Sequence, residues 1–146
     1  MQTQEIAAQN HQQFLEKVVR NEVIWYLHTG EEGCASCPSA VVDLDVYLFW
    51  DSKSAAQQAA TAEWADYEPR KIKLAAFLEV WCFPLYEQEV LMGTNFNTEL
   101  IGQENHPLQL LKDLIAQIRR QNTEEDLDLL LFDDLCDVEL AIAEVY

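Results

Sequence analysis

Apolar and polar positions along this chain divide it into stretches of two periods. Between residues 3 and 20, Ile6, Phe14, Leu15, Val18 and Val19 recur at spacings of three, four and eight, with Gln, Asn and Glu between them. That spacing predicts an amphipathic helix whose apolar side packs on a sheet. VIWYLHT, from Val23 to Thr29, is β-branched and aromatic and predicts a strand. Gly30-Glu31-Glu32-Gly33 predicts a hairpin turn, with a short return strand over Cys34 to Cys37 that Pro38 would end. Val41, Val42, Leu44 and Val46 then lead into VYLFW at 46–50, a run typical of a strand covered on both faces.

The stretch that follows organises the rest. Asp51 or Ser52 is the expected N-cap, since a short side-chain oxygen can accept from the free N–H groups of a first turn. Ala55, Ala56, Ala59, Ala60 and Ala62 predict a helix running to Trp64, stopping ahead of Pro69. Ile72 and Leu74 alternate with Lys71 and Lys73. From Leu74 the period becomes helical, through Phe77, Leu78, Trp81 and Leu85, with Pro84 expected to end or kink it. VLMGTNFN at 90–97 predicts a strand, and Gly93 within it a bulge or the close approach of another backbone. Asn97-Thr98 opens a turn, and residues 100–102 form a possible short return. Asn105 or His106 caps a helix with Pro107 in its first turn and Leu108, Leu111, Ile115 and Ile118 on its buried face; Asn122 is the expected C-cap. In the tail, Thr123 to Asp126 resembles a capping box. Leu131, Leu135, Val138, Ile142 and Val145 then repeat at four and three, with Asp126, Asp133, Asp137 and Glu144 on the opposite face.

The expected fold is therefore α+β, with an antiparallel or mixed sheet of about four to five strands packed with helices. Residues 1–122 form the domain. Residues 123–146 add an acidic amphipathic helix packed on it or on a partner.

Charge sharpens this picture. The chain has 146 residues, a net charge of −17, nine acids from Glu124 to Glu144 and no base beyond Arg120. Phosphate backbones and anionic membranes recruit Lys and Arg, so this balance argues against both as partners. No apolar run approaches the ~20 residues of a membrane helix. The first residues lack the basic and apolar regions of a signal peptide. The expected location is the cytoplasm, where the four cysteines would be thiols.

Several segments resemble a known family. LFWDSKSAAQQAATAEWADYEP, IKLAAFLEVW and MGTNFNTELIGQENHPLQLL, with an earlier Phe14, Trp25-Tyr26-Leu27 and Gly33, resemble a bacterial family called domain of unknown function number 2750. The resemblance covers roughly 14–111. Cys34 departs from the tryptophan expected after the glycine, and the acidic tail lies outside. The resemblance implies a small soluble bacterial domain and carries over no catalytic residue.

Candidate chemistry is sparse. Cys34-Ala35-Ser36-Cys37 is a CxxC, but a redox pair favours a helix N-terminus and a zinc site needs a second pair. Two incidental small residues in a turn are the plainer reading, and Cys82 and Cys136 look like helix core positions. Arg70, Lys71 and Lys73 form the one basic cluster. They fit an anion or ligand site beside Asn95 and Asn97, or more simply a solvated loop answering nearby carboxylates. Asn95, Asn97 and Asn105 can line a polar pocket or cap turns. His106 with Glu104 has the residue types for acid–base work, though a histidine before a helix-opening proline is more simply a cap; His28 faces away from Trp25 and Leu27. No metal or cofactor is expected. The four tryptophans fit core positions or a partner pocket.

These features point to a non-catalytic interaction or regulatory domain, of inhibitor or immunity type, engaging a basic protein through Asp126, Asp133, Asp137 and Glu144. One alternative is a small-molecule sensor or enzyme with a pocket near Asn95, Asn97 and Arg70. Another is a thiol-redox protein using Cys34 and Cys37. Self-pairing of the last helix would bring acidic flanks together, and nothing indicates a homo-oligomer.

Overall fold

The computed structural model describes residues 2–30 and 33–146. Helix α1 (Gln2–Asn21) buries Phe14, Val18 and Val19, the stripe its periodicity predicts. The chain then turns through Glu22, in the left-handed region at φ 57°, into strand β1 (Val23–Thr29). β1 is central in a three-stranded sheet, antiparallel to both β2 (Gly33–Cys34) and β5 (Glu68–Lys73). Glu31 and Glu32 of the expected hairpin turn lie outside the described residues, but their flanks pair as a hairpin requires, His28 with Cys34 and Thr29 with Gly33.

The expected return strand over Cys34 to Cys37 divides in two. β2 stays with β1, while β3 (Ser36–Pro38) joins a second sheet in the order β3, β4 (Asp45–Phe49), β6 (Leu91–Thr94), β7 (Gln103–Asn105). β3 ends at Pro38, as expected, although Pro38 itself pairs with Asp45, on an edge strand where a missing N–H is tolerated. Ala35 is the crossing point: its N–H donates to the Leu27 carbonyl at 3.0 Å and its carbonyl accepts from the Leu48 N–H at 3.2 Å. Trp25 and Trp50 exchange a further pair of backbone bonds, each 2.8 Å. The fold is α+β, as expected, but with sheets of three and four strands in place of one of four or five. The lysine-rich alternation before Leu74 supplies the unexpected strand, β5.

β4 explains why two cores exist. Its period of two sends Val46 and Leu48, with Trp50 just beyond, into one cluster with Leu27, Ala56, Trp64 and Phe96. Phe49 points the other way, into the larger cluster with Phe14, Phe77, Leu108 and Leu111. β6 runs parallel to β4, and a Cβ on its Gly93 would lie 2.6 Å from the Phe96 ring and 2.8 Å from Leu48. The glycine thus serves close approach, as expected, although side chains rather than backbone crowd it.

Ser52 caps α2 (Lys53–Ala59), its hydroxyl accepting from the Ala55 N–H at 3.1 Å. The helix ends there instead of reaching Trp64. At 100° per residue a continuous helix would turn Trp64 about 140° away from the side that carries Ala59. The break at Ala60, followed by a 3₁₀ turn (Ala62–Trp64), lets the indole enter the core.

The next helix begins as α3 (Leu74–Ala76), widens into a π-helical turn (Phe77–Trp81) and continues as α4 (Cys82–Glu87). Pro84 neither ends nor breaks it. The π turn widens the backbone just ahead of Pro84, where the ring would otherwise meet the carbonyl four residues back. The π turn also buries Glu79, which is 6% exposed. Its carboxylate accepts from the N–H groups of Leu130, Leu131 and Phe132 at 2.8, 2.6 and 2.8 Å.

His106 caps α5 (Pro107–Arg120) through Nδ1, which accepts from the Leu108 N–H. Burial pushes its pKa down, which keeps that acceptor available. Asn122, at φ 58°, turns the chain out of the helix as expected. The tail is less helical than its spacing predicts. A 3₁₀ turn (Glu124–Asp126) and irregular chain precede α6 (Leu135–Val145), which Asp134 caps. Asp126 and Asp133 therefore lie outside the helix, and Leu131 is 67% exposed. Leu135, Val138 and Ile142 pack into the larger cluster, beside α5.

Candidate functional site

The carboxyl ends of the parallel strands β4 and β6 lie side by side, a position where open sheets commonly place ligands. Here they open a cleft of about 370 Å³. α1 contributes Asn10, Gln13 and Lys17. The chain after β4 contributes Trp50, Asp51, Ser52 and Gln58, and that after β6 contributes Asn95, Phe96, Asn97 and Thr98. A smaller recess of about 110 Å³ continues past Ala59, Asn97 and Thr98 to Trp64 and Leu100.

Asn95 ties the three walls together. It sits at φ 50°, a region Asn tolerates better than most residues. Its N–H donates to the Phe49 carbonyl at 2.9 Å, and its Oδ1 accepts from the Asp51 N–H at 3.0 Å. Its Nδ2 donates to Asp51 Oδ2 at 2.8 Å and to the Asn10 carbonyl at 3.2 Å. Asp51 is 5% exposed, and its Oδ1 faces Lys17 Nζ at 3.9 Å, the outer reach of an ion pair. Trp50 closes the floor, its indole N–H donating to the Phe96 carbonyl at 2.8 Å. Asn97 holds the far rim, its Oδ1 accepting from the N–H groups of Glu99 and Ile101.

A buried relay lies behind this wall. His11 Nδ1 is 2.8 Å from Thr94 Oγ1, and its Nε2 is 3.2 Å from Asp113 Oδ2. Asn105 Nδ2 donates to the Met92 carbonyl at 2.8 Å and to Thr94 Oγ1 at 3.3 Å. One tautomer satisfies the set: His11 donates from Nε2 to Asp113, and Nδ1 accepts from the Thr94 hydroxyl. Burial raises the Asp113 pKa, but hydrogen bonds from His11 and Gln109 and the charge of Lys112 outweigh it and hold the carboxyl below its usual range. The order Asp, His, Thr has the residue types of a nucleophile with its base. Thr94 is fully buried, however, so its hydroxyl has no route to a substrate. The relay pins α1, β6 and α5 together and sets the cleft wall.

The sites expected from sequence separate. Asn95 and Asn97 meet in the cleft. Arg70, Lys71 and Lys73 do not: they lie exposed on β5 of the other sheet, where Arg70 pairs with Tyr26 and Lys71 with Trp25. The cleft's cation is Lys17. Cys34 and Cys37 sit on strands of different sheets, and all four cysteines are free thiols. Burial raises both CxxC thiols, Cys37 to about 11 with help from Glu104, Glu63 and Asp45. That environment is the reverse of one that activates a thiolate. Cys82 is buried as expected, but Cys136 is exposed, 3.6 Å from Arg119 Nη2. Glu104 binds the Ser39 hydroxyl and the Ala40 N–H, and so fastens a loop instead of partnering His106. Asp126, Asp133 and Glu144 are exposed and Asp137 half-buried. Among the described residues no cluster of three or more His, Cys, Asp or Glu side chains can hold a metal ion. Among them, too, no helix is long and apolar enough to cross a membrane.

Lys17, Asn10, His11 and Asp113 were not apparent as site residues. His11 left the clearest trace, a polar side chain three and four residues ahead of Phe14 and Leu15 on the apolar stripe.

The model of a family described as a protein of unknown function, DUF2750, matches residues 11–114. No curated protein and no solved structure matches the chain. The FW-D and N-F-N segments that resemble the family meet at this cleft as Trp50, Asp51, Asn95, Phe96 and Asn97.

Proposed function

Since the chain belongs to the DUF2750 family, a family described by no activity, we propose from the cleft itself that it is a non-catalytic domain that binds a small polar ligand. The observation that carries this reading is the convergence of α1, the β4 exit and the β6 exit on one cleft with a buried carboxylate at its base. The cleft offers amide and hydroxyl groups that hydrogen-bond a solute and fix its orientation. It offers no accessible nucleophile paired with a base, so binding rather than turnover fits. Its volume lies near the lower end for small-molecule sites. Free thiols fit a cytoplasmic setting.

The test is a thermal-shift screen of polar metabolites against the intact chain and Ser54→Trp. Ser54 is exposed and lines the cleft, so an indole there fills the cavity without entering the core. A ligand that stabilises the parent and not Ser54→Trp supports the reading. Equal stabilisation of both overturns it.

A second reading keeps the basic protein partner. Its support is the tail, where Leu130, Leu131 and Leu140 are 83%, 67% and 65% exposed among Asp128, Asp133, Asp134 and Asp137. Exposed leucines in an acidic segment match a partner that offers apolar and basic side chains together. Titration with a lysine-rich amphipathic peptide tests it. Binding weakened by salt and by Leu130→Ser with Leu131→Ser supports the reading; binding indifferent to both removes it.

A further inference from the structure

We propose that the ligand of this cleft is a small zwitterion of the free α-amino-acid class, its ammonium on Asp51 and its carboxylate on Lys17. This rests on the reading of the cleft as a ligand site and names what fills it. Lys17 and Asp51 are the two charged groups among the lining residues; the rest are amides, hydroxyls and apolar side chains. The cleft is therefore neutral overall but carries one charge of each sign, in a protein whose net charge is −17. A free anion is repelled by that surplus, and a free cation is drawn to many exposed carboxylates. A molecule with no net charge escapes both effects and recognises the cleft through its own dipole.

The pair is also poised for exchange. Asp51 Oδ2 is engaged by Asn95, which leaves Oδ1 as the acceptor that faces Lys17. At 3.9 Å, with Lys17 one-third exposed, that contact is loose and is worth little in water. An ammonium at hydrogen-bond distance from Oδ1 replaces it with a shorter, charge-assisted bond in a desolvated place. Lys17 then turns to the ligand carboxylate, which lies only two bonds from the ammonium nitrogen. One small molecule thus spans both partners. Asn10, Gln13, Gln58 and Asn97 remain for its side chain, which favours a polar one.

The experiment is a ¹⁵N–¹H titration of the full chain, with the Trp50 indole N–H and the Asn95 and Asn97 side-chain amides as reporters. L-glutamine and L-serine are compared with n-propylamine, propionate and glycerol. The expected result is saturable movement of those signals with the amino acids, and at least tenfold weaker binding of the amine and the acid. Asp51→Asn and Lys17→Met each lower amino-acid affinity at least tenfold while the remaining spectrum stays that of the folded protein. Lys17 is a partly exposed surface side chain, so its variant reports even if Asp51→Asn unfolds. If glycerol, propylamine or propionate moves the reporters as strongly as L-glutamine, or Lys17→Met binds unchanged, the zwitterion is refuted and the cleft remains a ligand site. If no probe moves any cleft signal, the zwitterion is refuted, and the thermal-shift screen decides the ligand-site reading separately.

Discussion

Glu79→Ala cuts the tail from its anchor, and the structure sets the size of the effect. The carboxylate accepts three backbone N–H groups at 2.6–2.8 Å from consecutive residues of the tail. A hydrogen bond to a charged group is worth roughly 1.5–3 kcal/mol, so three sum to at most about 9 kcal/mol. That sum cannot be lost in full, because the freed segment can lift away and give its N–H groups to water. The apolar contacts that hold the tail resist that escape: Phe132 stacks on Phe83 with ring centroids 6.0 Å apart, and Leu135, Val138 and Ile142 are buried. The expected cost is about 2–4 kcal/mol. At this chain length it lowers the melting temperature by roughly 10 °C. Glu79→Gln keeps one acceptor oxygen at similar volume and is expected to lose about half as much, which separates the hydrogen bonds from the space they occupy. Urea unfolding gives the energy, and amide exchange at 130–132 gives the location. A loss under about 0.5 kcal/mol with unchanged exchange at those residues would refute the account.

Two further outcomes follow from the titrating groups. Asp113 is held below its usual range, so it contributes stability above its unfolded pKa of about 4 that disappears as pH falls through its folded value. Asp113→Asn should therefore flatten the stability profile below about pH 4, and a carboxyl ¹³C titration with an ordinary midpoint for Asp113 would contradict this. Cys37, with its thiol at about 11, should react with iodoacetamide at pH 8 at least roughly tenfold more slowly than a free cysteine. Peptide mass spectrometry after timed alkylation measures the ratio, and labelling at the free-cysteine rate would show the pKa argument to be wrong.

What the amino-acid order made legible was whatever depends on near neighbours. The helix over 2–21, the strand β1, the Ser52 and His106 caps and the left-handed Asn122 all follow from side chains within a few positions. What it hid depends on contacts between distant segments. Nothing local at Ala35 announces that it will bridge two sheets, because its partners are Leu27 and Leu48. Trp64 breaks its helix only because a core lies in the other direction. The cleft shows the same division. Asn95 and Asn97 stood out as polar residues at a strand end, whereas Lys17 gained meaning only when α1 came to rest beside β4. The basic cluster at 70–73 misled because charge alone drew attention to it, while strand pairing placed it on another sheet. In the tail, a regular leucine spacing promised a helix through 131, but Glu79 takes the N–H groups of 130–132, which a continuous helix would give to carbonyls four residues back.

The parallel pairing of β4 with β6 also favours an order of assembly. β3 meets β4, and β6 meets β7, through short connections that close early and cheaply. Val46 meets Leu91 only by closing a much longer loop, which holds α2, β5 and the whole π-interrupted helix and costs more chain entropy. Such distant closure is slow and comes late. The binding groove has no existence before that moment, since two of its walls hang from the two strands. An intermediate can hold both hairpins and still have nowhere for a solute to sit, so ligand capture would time the last step of folding rather than the first.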